Sequence, residues 1–337
     1  MGKRAMIEPI ALTEWAEFDA RHPAPTFFAR PAWASALAYA YPHLRPHPVR
    51  VDVGDVRILV PLMQTSGGRL GWRELVGMPL GTYTCGLRDD GTLASVREFD
   101  AAVAAIARTC DALTLIPWPL GPTPCGFTTR RTTHETAVID VSNGAEEALS
   151  GVAGVSRRMA GQAARRGVNC APLRSALGVT TYYSMLREAA ERWGLAKPPF
   201  PQELLEGLVA YGGDDVEIWF AQCDNHPIAG GVIVFGSAEL FFWSAAMRQT
   251  FAHLRPSNAL NVTLIEAAAE RNLHWYNLGA SEGLPGVERF KRGLGARTVP
   301  YSQLHYQSLR FNAYTRLRTS LRLDRSQPPQ PQRGGSI

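Results

Sequence analysis

The chain has 337 residues, long for one core and suited to two domains of about 150 residues each. Apolar residues make up 45% and charged residues 19%, enough apolar surface to offset the entropy of folding, so general disorder is excluded. Residues 1–145 carry 14 charges of each sign and 146–305 carry 15 of each, while the final 32 residues hold six Arg against one Asp. The net charge of +5 therefore lies in the tail, which excludes a polyanion-binding body and a DNA reader and leaves only a local electrostatic footprint.

In chain order, Glu14 to Tyr41 reads as two short helical stretches parted by His22-Pro-Ala-Pro25. Strand-like runs follow at Val49–Val53 and Val56–Leu62, with a turn at Gly54-Asp55. Trp72–Leu87 reads as more sheet, Ala94–Arg108 as an alanine-rich helix and Ala112–Ile116 as a short buried strand. The longest uncharged run, Ala112 to Thr129, contains Pro117, Pro119, Pro122 and Pro124, which rules it out as a spanning helix. Thr136–Val141 is another strand. Asn143 with Glu146 three positions on predicts a capping box, and Glu147 adds charge suited to the positive helix end. Arg165-Arg166-Gly167 stops the segment, and Gly151 and Gly154 break it into two pieces.

Helices are predicted over Thr180–Arg192 and Gln202–Tyr211, then three strands at Glu217–Gln222, Ile228–Phe235 and Glu239–Met247. Ser257–Arg271 sets Leu260, Leu264 and Ala268 on one face of a helix. A strand at Trp275–Leu278, a short helix at Glu288–Leu294 and a strand at Val299–Tyr306 complete an α+β order. The tail Gln307–Leu323 aligns Tyr314, Leu317 and Leu321, with Arg316, Arg318, Arg322 and Arg325 elsewhere. This helix has two readings: docked on the first domain with a solvated basic side, or in contact with tRNA, an anionic lipid-linked precursor or a membrane surface. Residues 326–337, rich in Pro, Gln, Gly and Ser, are expected to be disordered.

Glu8 and Glu14 interrupt any apolar region after Lys3 and Arg4, so no secretory signal is read. The five cysteines are widely spaced with no Cys-x-x-Cys pair, which predicts reduced thiols in a soluble cytoplasmic protein. His43 and His47 have metal-like spacing, but Pro42, Pro46 and Pro48 forbid the helix that would join them, so no metal is predicted.

The candidate chemistry lies in the second half. Free N–H groups and the helix dipole make a helix start attractive to phosphate. In Phe251-Ala-His-Leu-Arg255-Pro-Ser-Asn258-Ala, Arg255 offers a cation, Ser257 a cap, and the amides of Asn258 and Ala259 are expected to point outward; the alternative is an ordinary capped helix. The loop lacks the glycines that would let its backbone approach a pyrophosphate closely. The chain holds 32 Arg but only three Lys, at 3, 197 and 291, so Lys291 suggests a site wanting a compact point charge; the alternative is a solvated helix lysine. Arg157 and Arg158 are read evenly as phosphate ligands or as helix-end charges, and the latter suits Arg165 and Arg166. Glu282 is the carboxylate best placed by sequence to act as a base. Tyr276 and Tyr301 are read as acceptor contacts or as core.

Residues 136–306 resemble the GNAT superfamily of acyltransferases, on the branch of the Fem peptidoglycan aminoacyltransferases. The resemblance is carried by Ala137-Val-Ile-Asp140, Ser156-Arg157-Arg158, Ala164-Arg-Arg-Gly167-Val168, Asp224-Asn-His-Pro227-Ile-Ala-Gly230, Tyr276-Asn277-Leu278-Gly279 and Phe290-Lys291-Arg292-Gly293-Leu294-Gly295-Ala296. Glu14-Trp15, Phe27, Trp33 and Pro61-Leu62 look like the family's first, degenerate domain.

The resemblance implies an α+β chain of two tandem GNAT-like domains with mixed, mainly antiparallel sheets flanked by helices. These would be 1–145, with 307–325 packing back onto it, and a catalytic domain at 146–306. It further implies transfer of an acetyl or aminoacyl group from acyl-CoA or aminoacyl-tRNA, with no permanently bound cofactor. The acceptor would be an amine of a small molecule or a cell-wall precursor. Lys291 would stabilise oxyanion charge or bind acceptor phosphate. Family members often carry Asp where this chain has Asn277, which favours a rival reading as a catalytically silent binding module.

Overall fold

The computed structural model describes residues 6–66, 71–124, 126, 128–173, 175–281 and 283–323, with side chains described up to 317. The chain divides into two compact units. One is built mainly from Phe28–His134, together with residues 6–24 and 300–323. The other is built mainly from Glu135–Val299 and also takes Pro25–Phe27. The divisions fall inside strands at 134/135 and 299/300 rather than at 145 and 306; a strand's side-chain pattern carries no mark of such a change.

The first unit opens with β1 (Ile7–Pro9), α1 (Leu12–Arg21), α2 (Pro31–Ala40), β2 (Leu44–Pro46), β3 (Val49–Val53), β4 (Val56–Val60), β5 (Met63–Thr65), β6 (Glu74–Val76), β7 (Leu87–Arg88), α3 (Val96–Ala107) and β8 (Ala112–Leu115). One sheet has the order β1-β3-β4-β7, all antiparallel. Alternating residues Val49, Val51, Ile58 and Val60 share a core with Phe99, Ala102, Val103 and Ile106 of α3. In the second sheet β6 runs parallel to β8 over Glu74↔Ala112, Leu75↔Leu113 and Val76↔Thr114, with α3 between them in sequence.

The second unit contains the part of β9 (Arg130–Asp140) from Glu135 on, α4 (Ala145–Ser150), α5 (Gly154–Arg165), β10 (Asn169–Pro172), α6 (Ala176–Arg192), α7 (Gln202–Gly212), β11 (Val216–Cys223), β12 (His226–Phe235), β13 (Glu239–Met247), α8 (Pro256–Glu270), β14 (Trp275–Asn277) and α9 (Pro285–Gly293). Its strands follow the order β10-β11-β12-β13-β14-β9. Alternation along β12 puts Ile233 and Phe235 in the core formed with Leu260, Leu264 and Ala268 of α8. It turns the equally buried Val232 and Val234 to the opposite face. There α6 packs on β12 and β13, and the Tyr182 hydroxyl donates to Ser244 Oγ at 2.7 Å. The chain ends with β15 (Arg297–Gln307) and α10 (Leu309–Leu323).

Several expectations change in detail. Asn143 does not form the capping box: Gly144 takes the N-cap position at φ 94°, and Asn143 Nδ2 donates to Glu147 instead. β10 carries no periodic signal because it is a short, largely exposed strand at the sheet edge. α9 begins at Pro285, whose fixed φ suits a first helical position. The tail helix contacts the first unit through Phe311 and Tyr314, whose rings meet Trp72 at 5.5 and 5.6 Å, while Leu317 is 61% exposed. His43 and His47 diverge: His47 meets Arg73 at 3.0 Å and His43 the ring of Tyr41. Cys85, Cys110, Cys170 and Cys223 are free thiols. Among the described residues no helix is long and apolar enough to cross a membrane.

Candidate functional site

In the second unit β13 and β14 are parallel and pair over only three residues, Glu239↔Trp275, Leu240↔Tyr276 and Phe241↔Asn277. β13 continues to Met247, whereas the chain after β14 stays with β9: Leu278 N–H donates to Ala137 O at 2.8 Å, and Ala137 N–H to Gly279 O at 3.1 Å. The two strands thus part at their carboxyl ends, the edge where open α/β sheets receive ligands. A bulge adds to this. Val232 pairs with Ser244 and Ile233 with Phe242, so Trp243 is the extra residue, and its ring stacks on Phe200 at 4.6 Å.

A buried polar network holds the base of the opening. Asn277 is fully buried; its Oδ1 accepts from Thr136 Oγ1 at 2.7 Å and from Gly279 N–H at 3.0 Å, and its Nδ2 donates to the buried Glu239 at 3.1 Å. Gly279 adopts φ +72°, which favours glycine, and turns the chain out of the strand. Lys291, in the last turn of α9, is 6% exposed and donates from Nζ to Gly279 O at 3.0 Å and Ala280 O at 2.7 Å. It is therefore no solvated helix lysine; its ammonium ties down the exit of β14. The glycines beside it serve packing. A Cβ on Gly295 would lie 2.9 Å from Gly151 O and one on Gly293 3.0 Å from Ser156 Oγ, and Ala153 N–H donates to Gly293 O.

α8 links β13 to β14, so its first turn lies at the same end of the parallel pair. That turn is not the outward cradle expected. Arg255 is the N-cap, in left-handed geometry at φ 58°, and its carbonyl accepts from the amides of both Asn258 and Ala259. Pro256 has no N–H, so Ser257 keeps the one unengaged amide of the turn among the described residues. The Ser257 hydroxyl, expected as the cap, sits inside the helix and donates to Met247 Sδ. Asn258 and Ala259 are buried, while the Arg255 side chain is exposed.

The remaining candidates separate. Arg157 and Arg158 are exposed on α5. Tyr276 is fully buried and its hydroxyl donates to Asn261 Oδ1 at 2.6 Å, which makes it core rather than an acceptor contact. Burial raises its phenol pKa well above the ordinary value. Tyr301 belongs to the first unit, stacked on His134 at 5.5 Å and edge-on to Tyr83. Glu282 lies outside the described residues. Arg166 was read as a helix-end charge, yet its guanidinium donates to His253 O at 2.7 Å and so anchors the turn that leads into α8. Neither that contact nor the Trp243 bulge leaves a periodic signal in the sequence.

The first unit repeats the parallel pair but closes it. Thr84 N–H donates to Ile116 O and Trp118 N–H to Thr84 O, both at 2.8 Å, so the chain itself occupies the edge beyond β6 and β8. The start of α3 is sealed by a capping box of Ser95 and Glu98. Arg88 above all, then the Ser95 amide and hydroxyl, holds the Glu98 carboxyl at about 2. That capping box occupies N–H groups an incoming anion would need, whereas the first turn of α8 contains no acid and no side-chain cap.

The family model described as an acetyltransferase (GNAT) domain matches residues 154–292. None of the curated proteins matches the chain significantly in sequence. The fold is similar to that of FemX (TM-score 0.65, 12% identity, covering 93% of this chain and 99% of that one). It is also similar to the DUF2156 domain of a putative lysylphosphatidylglycerol synthetase from Agrobacterium fabrum (TM-score 0.54, 14% identity, 92% and 98%). A tandem GNAT protein from the clavulanic acid biosynthesis pathway is similar too (TM-score 0.53, 11% identity, 90% and 98%).

Proposed function

We propose that the second unit, where residues 154–292 match the GNAT acetyltransferase domain model in a fold similar to that of a tandem GNAT protein, transfers an aminoacyl group from aminoacyl-tRNA to an amine at the carboxyl edge of β13 and β14. The observation that carries this reading is the parting of the two strands beyond Phe241 and Asn277, at the end where Lys291 fixes the β14 exit. Attack of the amine on the ester carbonyl forms the new C–N bond, breaks the ester C–O bond and passes the amine's proton to the released ribose hydroxyl of the tRNA; it needs a place for negative charge on the way and no covalent enzyme intermediate. The α8 turn supports the choice of donor. Pro256 and the Arg255 carbonyl leave few amides for a pyrophosphate, which weighs against acyl-CoA. Exposed Arg157, Arg158 and Arg255 offer cations to phosphates of the tRNA or of a cell-wall precursor carrying the amine.

Thermal unfolding in the presence of each candidate tests this, because a ligand that binds only the folded chain raises the midpoint. Charged tRNA and nucleotide-linked cell-wall precursors are expected to raise it, and acetyl-CoA or longer acyl-CoAs are not. Stabilisation by a CoA ester alone would reverse the assignment of the donor. No response to any of them would favour a catalytically silent binding module.

A further inference from the structure

Lys291 spends two of its N–H groups on consecutive carbonyls, those of Gly279 and Ala280. No peptide bond here is cis, and in a trans peptide the C=O and N–H point in opposite directions. Drawing both carbonyls onto one ammonium therefore turns the amides of Ala280 and Ser281 away from it. The direction is fixed further by the sheet. Gly279 O also accepts from Ala137 N–H on the β9 side, so the N–H of the same peptide, that of Ala280, faces the β13 side. That is where the parallel strands have parted. Neither amide donates to any group among the described residues, and Ala280 and Ser281 are both half-buried.

We infer that Lys291 is a positioning residue that presents the backbone amides of Ala280 and Ser281 as a paired oxyanion site in the opening between β13 and β14. The ammonium also polarises the two peptides it holds, so their N–H groups become stronger donors than a solvated amide. The ligand is a single anionic oxygen: a phosphate oxygen in the resting enzyme, or the oxygen of the tetrahedral species if the acyl-transfer reading above holds. The role in transfer rests on that reading; the anion site does not.

The test uses the full chain labelled with 15N-alanine and 15N-serine and titrated with inorganic phosphate, so it needs neither donor nor acceptor. Saturable downfield shifts of the Ala280 and Ser281 amides are expected in the wild type. Lys291→Gln, which keeps two donors for the carbonyls, is expected to retain both shifts, and Lys291→Ala to lose them. Silent amides in the wild type would overturn the inference, whatever the variants do. So would unchanged shifts in a folded Lys291→Ala protein. Once the donor is known, a positioning role predicts that Lys291→Gln keeps at least a tenth of wild-type kcat at unchanged KM, while Lys291→Ala loses at least a hundredfold. Equal loss in the two variants would instead mean that the ammonium acts directly on substrate. A positive phosphate titration with no transfer from charged tRNA would leave the anion site standing and remove the proposed reaction.

Discussion

Asn277 donates its amide to the fully buried Glu239 carboxylate at 3.1 Å while its carbonyl receives Thr136 Oγ1 and Gly279 N–H. Both kinds of atom on the amide are in use, and only Asn supplies a donor on one side and an acceptor on the other at this length. An aspartate here would set a second carboxylate against Glu239 out of reach of water. Asn277→Asp is expected to lower stability by about 2–4 kcal/mol near neutral pH. The introduced carboxyl would titrate above its unfolded value. The folded variant then binds more protons than the unfolded chain, and the deficit shrinks as pH falls toward 5. Denaturant unfolding of both proteins at pH 5 and 7.5 measures this, and a deficit that grows on acidification counts against it.

Arg271 and Glu217 give a second test. Arg271 donates to Glu217 at 2.6 Å and its guanidinium lies 3.7 Å from the centroid of the Phe235 ring, while Trp219 Nε1 donates to the other carboxylate oxygen. The Glu217 side chain is 3% exposed, so loss of its cation is costly. Arg271→Ala is expected to destabilise by about 3 kcal/mol, and Arg271→Lys by less, because it keeps the charge but loses the stacked plane. Urea unfolding of the two variants gives the order, and equal losses would mean the charge contributes little.

The buried acids set an alkaline limit. Burial pushes the thiols of Cys110 and Cys170 up to about 12 and about 11, and raises the phenols of Tyr182 and Tyr276. Each stays protonated in the folded chain where the unfolded chain has already released its proton. Stability therefore falls as pH climbs through the ordinary thiol and phenol values of about 8.5–10 and keeps falling toward 12. The melting temperature is expected to be lower at pH 10 than at pH 8, with alkylation of the two thiols slow at pH 8 unless the protein unfolds. A melting temperature that holds steady to pH 10 would contradict it.

Much of the second unit could be read from sequence because its elements carry strong periods. Leu260, Leu264 and Ala268 mark α8, and the apolar run of β12 marks a strand buried on both faces. The site was less legible, and the reasons are local. Lys291 stood out by rarity, but its partners are two backbone carbonyls, which leave no trace in residue identity. Ser257 looked like a cap because Ser usually is one; the left-handed turn at Arg255 moved the helix start two residues back. Gly293 and Gly295 carry part of the family resemblance, and only the approach of Gly151 and Ser156 explains them as packing. Tyr276 is open in sequence between acceptor contact and core, and Asn261, which satisfies its hydroxyl inside, decides for core.

The chain crosses between the two units at 24/25, 27/28, 134/135 and 299/300. Pro25 belongs to the second unit and its carbonyl receives Ala238 N–H at 3.1 Å, in the turn that leads into β13. A gene fragment starting near residue 135 would lack that segment, and one ending at 299 would sever β15. The two halves are therefore not beads on a string. A single crossover cannot exchange one half without cutting into the other.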